Sequence, residues 1–183
     1  MTKLFIDTTS TKFILALIDD NKKVVAFWQE KLQNNAANMA VVWIEAFFTQ
    51  NKVTFKSFDE YYLTIGPGSF TGTKVGLNIL KTVNLVYPIT KINIISNFDL
   101  LRINKKNVAI NITKNKLLLN DFKIFNNLKT ITNFTDIDRN KLIINYEVFD
   151  EKVLEQKIND KSFKLLDNLS KVKLIYGTSF ISG

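Results

Sequence analysis

The chain contains no cysteine and no histidine. The first absence excludes disulfides, thiolate metal ligands and a thiol nucleophile. The second excludes imidazole zinc sites, the commonest general base and the usual catalytic triads. Arginine occurs only at Arg102 and Arg139, and proline only at Pro67 and Pro88. No apolar run approaches the ~18 residues that span a bilayer. Carboxylates, lysines, hydroxyls and backbone amides are left to do chemistry. What is present is ordinary for a folded chain of 183 residues: 46% hydrophobic and 23% charged side chains, enough to bury a core without staples. The opening Met1-Thr2-Lys3-Leu4-Phe5-Ile6-Asp7 meets an acid too early for a signal peptide, so a cytoplasmic chain with no membrane partner is expected.

The net charge is +8, shared as +3 over residues 1–98 and +5 over the remainder. A nucleic-acid surface would cluster arginine with interleaved aromatics. Here the lysines are scattered among abundant Asn and Ile, which reads as a solvated basic exterior. Lys105, Lys106, Lys114 and Lys116 lie close together in sequence and keep a phosphate-contacting edge open as a reading.

Apolar runs at Lys3–Asp7, Phe13–Ile18 and Val24–Trp28, joined by Thr8-Thr9-Ser10-Thr11 and Asp19-Asp20-Asn21, predict an antiparallel three-strand meander. Asn34 to about Gln50 predicts a helix whose only charge between Ala36 and Phe48 is Glu45. A helix so nearly apolar all round must be covered on two sides, by its own core and by something else. Glu60–Ile65 predicts a strand, Thr71–Val86 a helix ended by Pro88, and Ile92–Ile95 a strand followed by a short helix capped by Ser96. Beyond it, Val108–Ile112, Leu117–Phe122 and Lys141–Asn145 read as strands. Asp150–Ile158 reads as an amphipathic helix, Lys161–Leu169 as a further short helix, and Gly177–Gly183 as a loose end. The simplest organisation is two small α/β lobes, residues 1–98 and 99–183.

The sharpest motif is the turn Gly66-Pro67-Gly68-Ser69-Phe70-Thr71-Gly72 between a strand and a helix. Glycines allow close backbone approach, and a helix start offers unpaired amides and partial positive charge. Ser69 or Thr71 can cap that start. The spacing fits neither the phosphate-loop pattern nor the dinucleotide pattern. Two readings follow: an anion site built from Asp7, Thr8, Gly66, Gly68, Ser69, Thr71 and Gly72, or a junction that packs a helix tightly on a sheet. Ser69 lacks a recognisable base, so a peptidase reading has no partner residue to rest on.

Residues 66–77 resemble the signature G-P-G-S-F-T-G-[LV]-R-[IV]-G of the TsaB (YeaZ) family. Leu4-Phe5-Ile6-Asp7-Thr8-Thr9-Ser10 resembles the family's opening strand and turn. The similarity runs over about residues 3–112. It departs at Thr73 and Lys74, where the family has an aliphatic residue and Arg; Lys keeps the charge and loses the bidentate fork. The resemblance implies an actin-like ATPase (ribonuclease H-like) fold of two lobes, each a mixed sheet with packed helices. It implies a non-catalytic subunit in tRNA threonylcarbamoyladenosine synthesis, acting at position 37 of tRNAs. Such a subunit would bind a catalytic TsaD-like protein, with a TsaE-like ATPase on the assembled pair and tRNA contacted through the complex. Partner binding would use the two apolar helices, through Met39, Trp43, Phe47, Val75, Gly76, Ile79 and Val83, and the same face could pair two copies of the chain. Active members of this fold hold nucleotide and magnesium on an acid in the first turn and on a second-lobe Asp. Asp7 stands in the first place, and Asn111 stands near the second, where Asn is the poorer magnesium ligand. The expectation is therefore no cofactor in this chain, with ATP and magnesium at the level of the complex. The alternative is an ATP-dependent phosphoryl transferase or ATPase using Asp7 and the loop amides.

Overall fold

The structure is a computed structural model, and it describes residues 2–31, 36–103, 106–113, 116–120, 124–125, 142–144, 146 and 149–176. Several sequence expectations lie outside the described residues: the Asn34 cap, Phe122, Lys105, Lys114, Lys141 and the segment 177–183.

Three strands, β1 (Thr2–Asp7), β2 (Lys12–Ile18) and β3 (Val24–Lys31), form the antiparallel meander expected from the turn residues between them. Helix α1 (Ala36–Asn51) crosses to β4 (Phe58–Thr64), which lies parallel to β1. Helix α2 (Phe70–Asn84) crosses to β5 (Ile92–Ile95), parallel to β4. The short α3 (Asn97–Leu101) leads into a second sheet of β6 (Asn107–Thr113), β7 (Lys116–Leu119), β8 (Ile124–Phe125) and β9 (Leu142–Ile144). That sheet is also mixed, in the order β8-β7-β6-β9 with β6 and β9 parallel. Helix α4 (Glu151–Asn159) follows, capped by Asp150, whose side chain accepts from the Val153 amide.

The period-two alternation of β1 and β2 divides the interior. Leu4, Ile6, Phe13, Leu15 and Leu17 face α1 and α2, packing with Ala40, Ile44, Phe47, Leu77 and Leu80. Phe5, Ile14, Ala16 and Ile18 face the other way, toward Phe98, Leu101, Val108, Ile110, Leu118, Tyr146, Phe149 and Leu154 of α3, α4 and the second sheet. A sheet covered on both faces explains why its central strands read as unbroken apolar runs.

The last part of the chain departs from expectation. Residues within Lys161–Leu169 do not form a helix. Lys164–Leu166 form β10, which pairs antiparallel with β5 at the edge of the first sheet, giving the order β10-β5-β4-β1-β2-β3. Residues 164–176 thus pack with the first lobe, although a boundary at 98/99 assigns them to the second. Leu169 is buried in the α1/α2 core, and the Ile175 amide donates to the Ile65 carbonyl at 2.8 Å. A three-residue strand is too short to carry a periodic signal, and its partner lies some seventy positions away in sequence, so local reading had nothing to detect. Replacing Leu169 by Ala should therefore cost about 2–5 kcal/mol in urea unfolding, the range of a core truncation; an unchanged midpoint would mean that this segment does not close the first sheet.

Candidate functional site

The turn after β4 is a junction made by close backbone approach. Gly66 has φ +94°, in the region that favours glycine, and Gly66-Pro67 is a cis peptide bond. A Cβ on Gly66 would overlap the Ile175 carbonyl oxygen, one on Gly68 the Thr9 carbonyl oxygen, and one on Gly72 the Thr8 carbonyl oxygen. The space beside these glycines is filled by the chain's own backbone. Their neighbours' donors are used internally as well. The Ser69 amide donates to the Thr9 carbonyl at 3.1 Å, the Gly72 amide to Ser69 Oγ at 3.0 Å, and the Gly76 amide to Thr8 Oγ1 at 3.0 Å. Thr8 Oγ1 in turn donates to the Gly72 carbonyl at 2.6 Å, so the first turn of the chain is bonded into the start of α2. Ser69 is the N-cap of α2 and is exposed, as is Thr71. Lys74 folds back over the Phe70 ring, its ammonium 3.8 Å from the centroid.

Asp7 ends β1 and is fully buried. Its Oδ1 accepts from the Thr9 amide (2.8 Å), Thr9 Oγ1 (2.7 Å) and Thr64 Oγ1 (2.6 Å). Its Oδ2 accepts from the Tyr146 hydroxyl, which arrives from just beyond β9. Asn97, at the start of α3, donates its side-chain amide to Thr9 Oγ1 (2.6 Å) and the Pro67 carbonyl (2.8 Å), and its backbone amide to the Gly66 carbonyl (2.7 Å). Burial pushes the Asp7 carboxyl up from its ordinary 3.8, and the hydrogen bonds from Thr64, Tyr146 and Thr9 offset this only in part. Burial, and then the Asp7 charge, push the Tyr146 phenol well above the ordinary tyrosine range.

The acid placed by sequence in the nucleotide position is thus enclosed, with both oxygens engaged. A magnesium ion needs open carboxylate oxygens and usually keeps several waters; the residues around Asp7 do not fit it. Asn97 Oδ1 is buried and without a partner, but a single neutral acceptor is not a cation seat. No group of three or more acids that could hold a metal occurs among the described residues.

The second candidate region is the outer side of α1 and α2. An apolar groove of about 390 Å³ runs between them, with Val41, Ile44, Phe55, Val75, Ile79 and Val83 among its walls. Val75, Ile79 and Val83 of the predicted interface lie there. The other predicted residues do not. Phe47 is 3% exposed and belongs to the core, because its turn of α1 faces β2. Gly76 is buried, its Cβ position lying 2.9 Å from Thr8 Oγ1 and 3.0 Å from Leu63 Cδ1. Trp43 turns inward against Phe13 and Trp28, with ring centroids 5.4 and 5.7 Å away, and Met39 is half-buried outside the groove lining. Sequence reasoning did not single out Val41, which is 67% exposed, or Val42, 53% exposed, because a helix apolar nearly all round carries no stripe that marks its open side. It also missed Tyr146, Asn97 and Thr64, which join the Asp7 network from positions with no local pattern.

Two mixed sheets, the first backed by α1 and α2 and the second reached through α3, define a mixed α/β fold. Its arrangement is similar to that of two solved structures, both 17% identical over 64% of this chain and 57% of theirs. These are YeaZ from Pseudomonas aeruginosa, with a TM-score of 0.54, and a protein described as similar to peptidase YEAZ from Pseudomonas aeruginosa, with a TM-score of 0.55. By sequence, the chain is 37% identical over 87 residues to the uncharacterized protein MG208 of Mycoplasma genitalium and, equally, to its homologue in Mycoplasma pneumoniae. Each of those matches covers 47% of this chain and 44% of the relative, so the chain spans under half the length of the curated relatives it matches. No protein-family model matches the chain. Among the described residues, no helix is long and apolar enough to cross a membrane.

Two outcomes test this account of the site. Gly68→Ala should lower stability by about 3 kcal/mol or more in chemical denaturation, because the new Cβ meets backbone. Gly76→Ala should also lose stability, because its Cβ would lie 2.9 Å from the buried, doubly bonded Thr8 Oγ1 and 3.0 Å from Leu63 Cδ1, a clash that a helix-propensity gain of up to ~1 kcal/mol only partly offsets; unchanged stability in either variant would contradict the packing described. The second concerns pH. The folded pKa of Asp7 lies above 3.8, so its contribution is fully present below the unfolded value and is lost as pH rises through the folded one. Melting temperatures from acid to neutral pH should show this decline in the native chain and lack that component in Asp7→Asn.

Proposed function

We infer that this chain is a TsaB-like scaffold subunit, without a reaction centre of its own, that activates a TsaD-like catalytic protein in tRNA threonylcarbamoyladenosine synthesis. The observation that carries the reading is the apolar groove between α1 and α2, with Val41 exposed at its rim and Ile79 along its wall. Exposed apolar side chains gathered at one groove mark an interaction surface far more often than a solvated face. The YeaZ-like fold and the Gly66–Gly72 signature support the same reading from independent directions.

In this role the first sheet and the glycine junction hold α1 and α2 rigidly, and the groove between them receives apolar side chains of a partner helix. A TsaE-like ATPase would dock on the assembled pair, tRNA would be contacted through the complex, and two copies of the chain could pair through this face when the partner is absent. ATP and magnesium then belong to the complex. The ATPase alternative requires Asp7 to be open to a cation, and its engagement by Thr9, Thr64 and Tyr146 speaks against that use.

The test is co-purification with the TsaD-like partner. Val41→Asp combined with Ile79→Asp should weaken binding at least 100-fold, about 2.7 kcal/mol, by placing unpaired charge in the groove. The melting temperature should hold to within a few degrees, since Val41 is exposed and Ile79 only partly covered. Trp43 is unsuitable for this purpose because it supports Phe13 and Trp28. Retention of the partner by the double variant would place the interface elsewhere.

A further inference from the structure

We propose that Tyr146 is a built-in plug. Its phenol fills the position in front of the Asp7 carboxylate and latches the second sheet to the first, so that closure of the two sheets needs no ligand from solution.

Both oxygens of the Asp7 carboxyl group are engaged. Three donors from the first sheet and its turn converge on Oδ1, namely the Thr9 amide, Thr9 Oγ1 and Thr64 Oγ1. They fix the plane of the carboxylate and leave Oδ2 to the Tyr146 hydroxyl. Asp7 is 0% exposed and Tyr146 2% exposed, so neither can turn to water if the other is withdrawn. A buried carboxyl or phenol without a partner is costly, so each group needs the other.

The aromatic ring is positioned independently of the hydroxyl. It meets Phe149 edge-on, with centroids 5.3 Å apart, and Phe149 packs against Phe5 of β1 and Phe27 of β3, each at 6.3 Å. The plug is therefore held from both sides, by aromatic packing behind and by the carboxylate in front. Asn97 holds Thr9 against the glycine junction, which extends the latch to the start of α2. This inference is independent of the reading of the groove, since the groove lies on the opposite side of the first sheet.

A double-mutant cycle in thermal unfolding of the full chain tests it. Tyr146→Phe keeps the ring and removes only the hydroxyl, and Asp7→Asn keeps the shape and removes the charge. Each should lower the melting temperature by roughly 3–10 °C, with the double variant little below the worse single variant. Strictly additive losses would overturn the latch. The melting temperature of the native chain should not move with millimolar Mg-ATP or Mg-ADP. A rise in the native chain that Asp7→Asn abolishes would mean that the seat is open and would overturn the proposal.

Hydrogen exchange on the native chain requires no variant. The Thr9 amide and the amides of β9 should be protected together at the slowest, global rate, with or without nucleotide. Independent, fast exchange of β9 would overturn the latch.

Discussion

A carboxylate withdrawn from water must be surrounded by donors or be expelled, and the placement of Asp7 imposes that condition on the centre of this molecule. It ends β1, the first strand of the meander, where the following turn is bonded to the start of α2. Satisfying it draws Thr9 and Thr64 from the first sheet and Tyr146 from the second, and through Thr9 it engages Asn97 of α3. Four segments of chain distant in sequence thereby share one geometry. The glycine junction beside it obeys the same economy of space: Gly66 and Gly68 are small because carbonyls of Ile175 and Thr9 occupy the volume a side chain would need.

The two faces of the first sheet divide the labour. One face is closed by polar and aromatic contacts to the second sheet, and the other carries two helices whose inner sides are core and whose outer sides meet in a groove. In the motif that most resembles a ligand loop, backbone carbonyls fill the space beside the glycines, whereas the apolar groove lies one helix face away. A sequence signature can persist for the sake of a helix–sheet junction as well as for a phosphate, and the atoms next to the glycines distinguish the two.

Much of the first lobe could be read directly. The meander, the strand–turn–helix at Gly66–Gly72 and the short helix after Ser96 are signalled by alternation, turn residues and caps that act within a few positions. The crowding of apolar residues in α1 has its counterpart in one buried side against β2 and an opposite side on which Val41 and Val42 are exposed. Sequence could not assign which residue met which side, and Phe47, expected at the interface, lies in the core for that reason: about half a turn separates core from surface, and a helix apolar all round carries no stripe to fix it. Tyr146 could not be found at all, because a hydrogen bond across 139 positions leaves no local trace. The strand at Lys164–Leu166 was hidden in the same way, being defined by its partner β5 rather than by its own composition.

The edges of the six-stranded sheet bear on how this molecule behaves when crowded. One edge is β10, a mere three residues long; the other is β3, which ends in Gln29-Glu30-Lys31 and has its first amide, Val24, capped by the Glu155 carboxylate at 2.9 Å. A brief strand at one margin and a charged, partly capped one at the other are poor templates for strand addition and fibril growth. Self-recognition by backbone ladders is thus discouraged at both margins of this sheet, so that its surface meets other molecules through side chains rather than through open backbone.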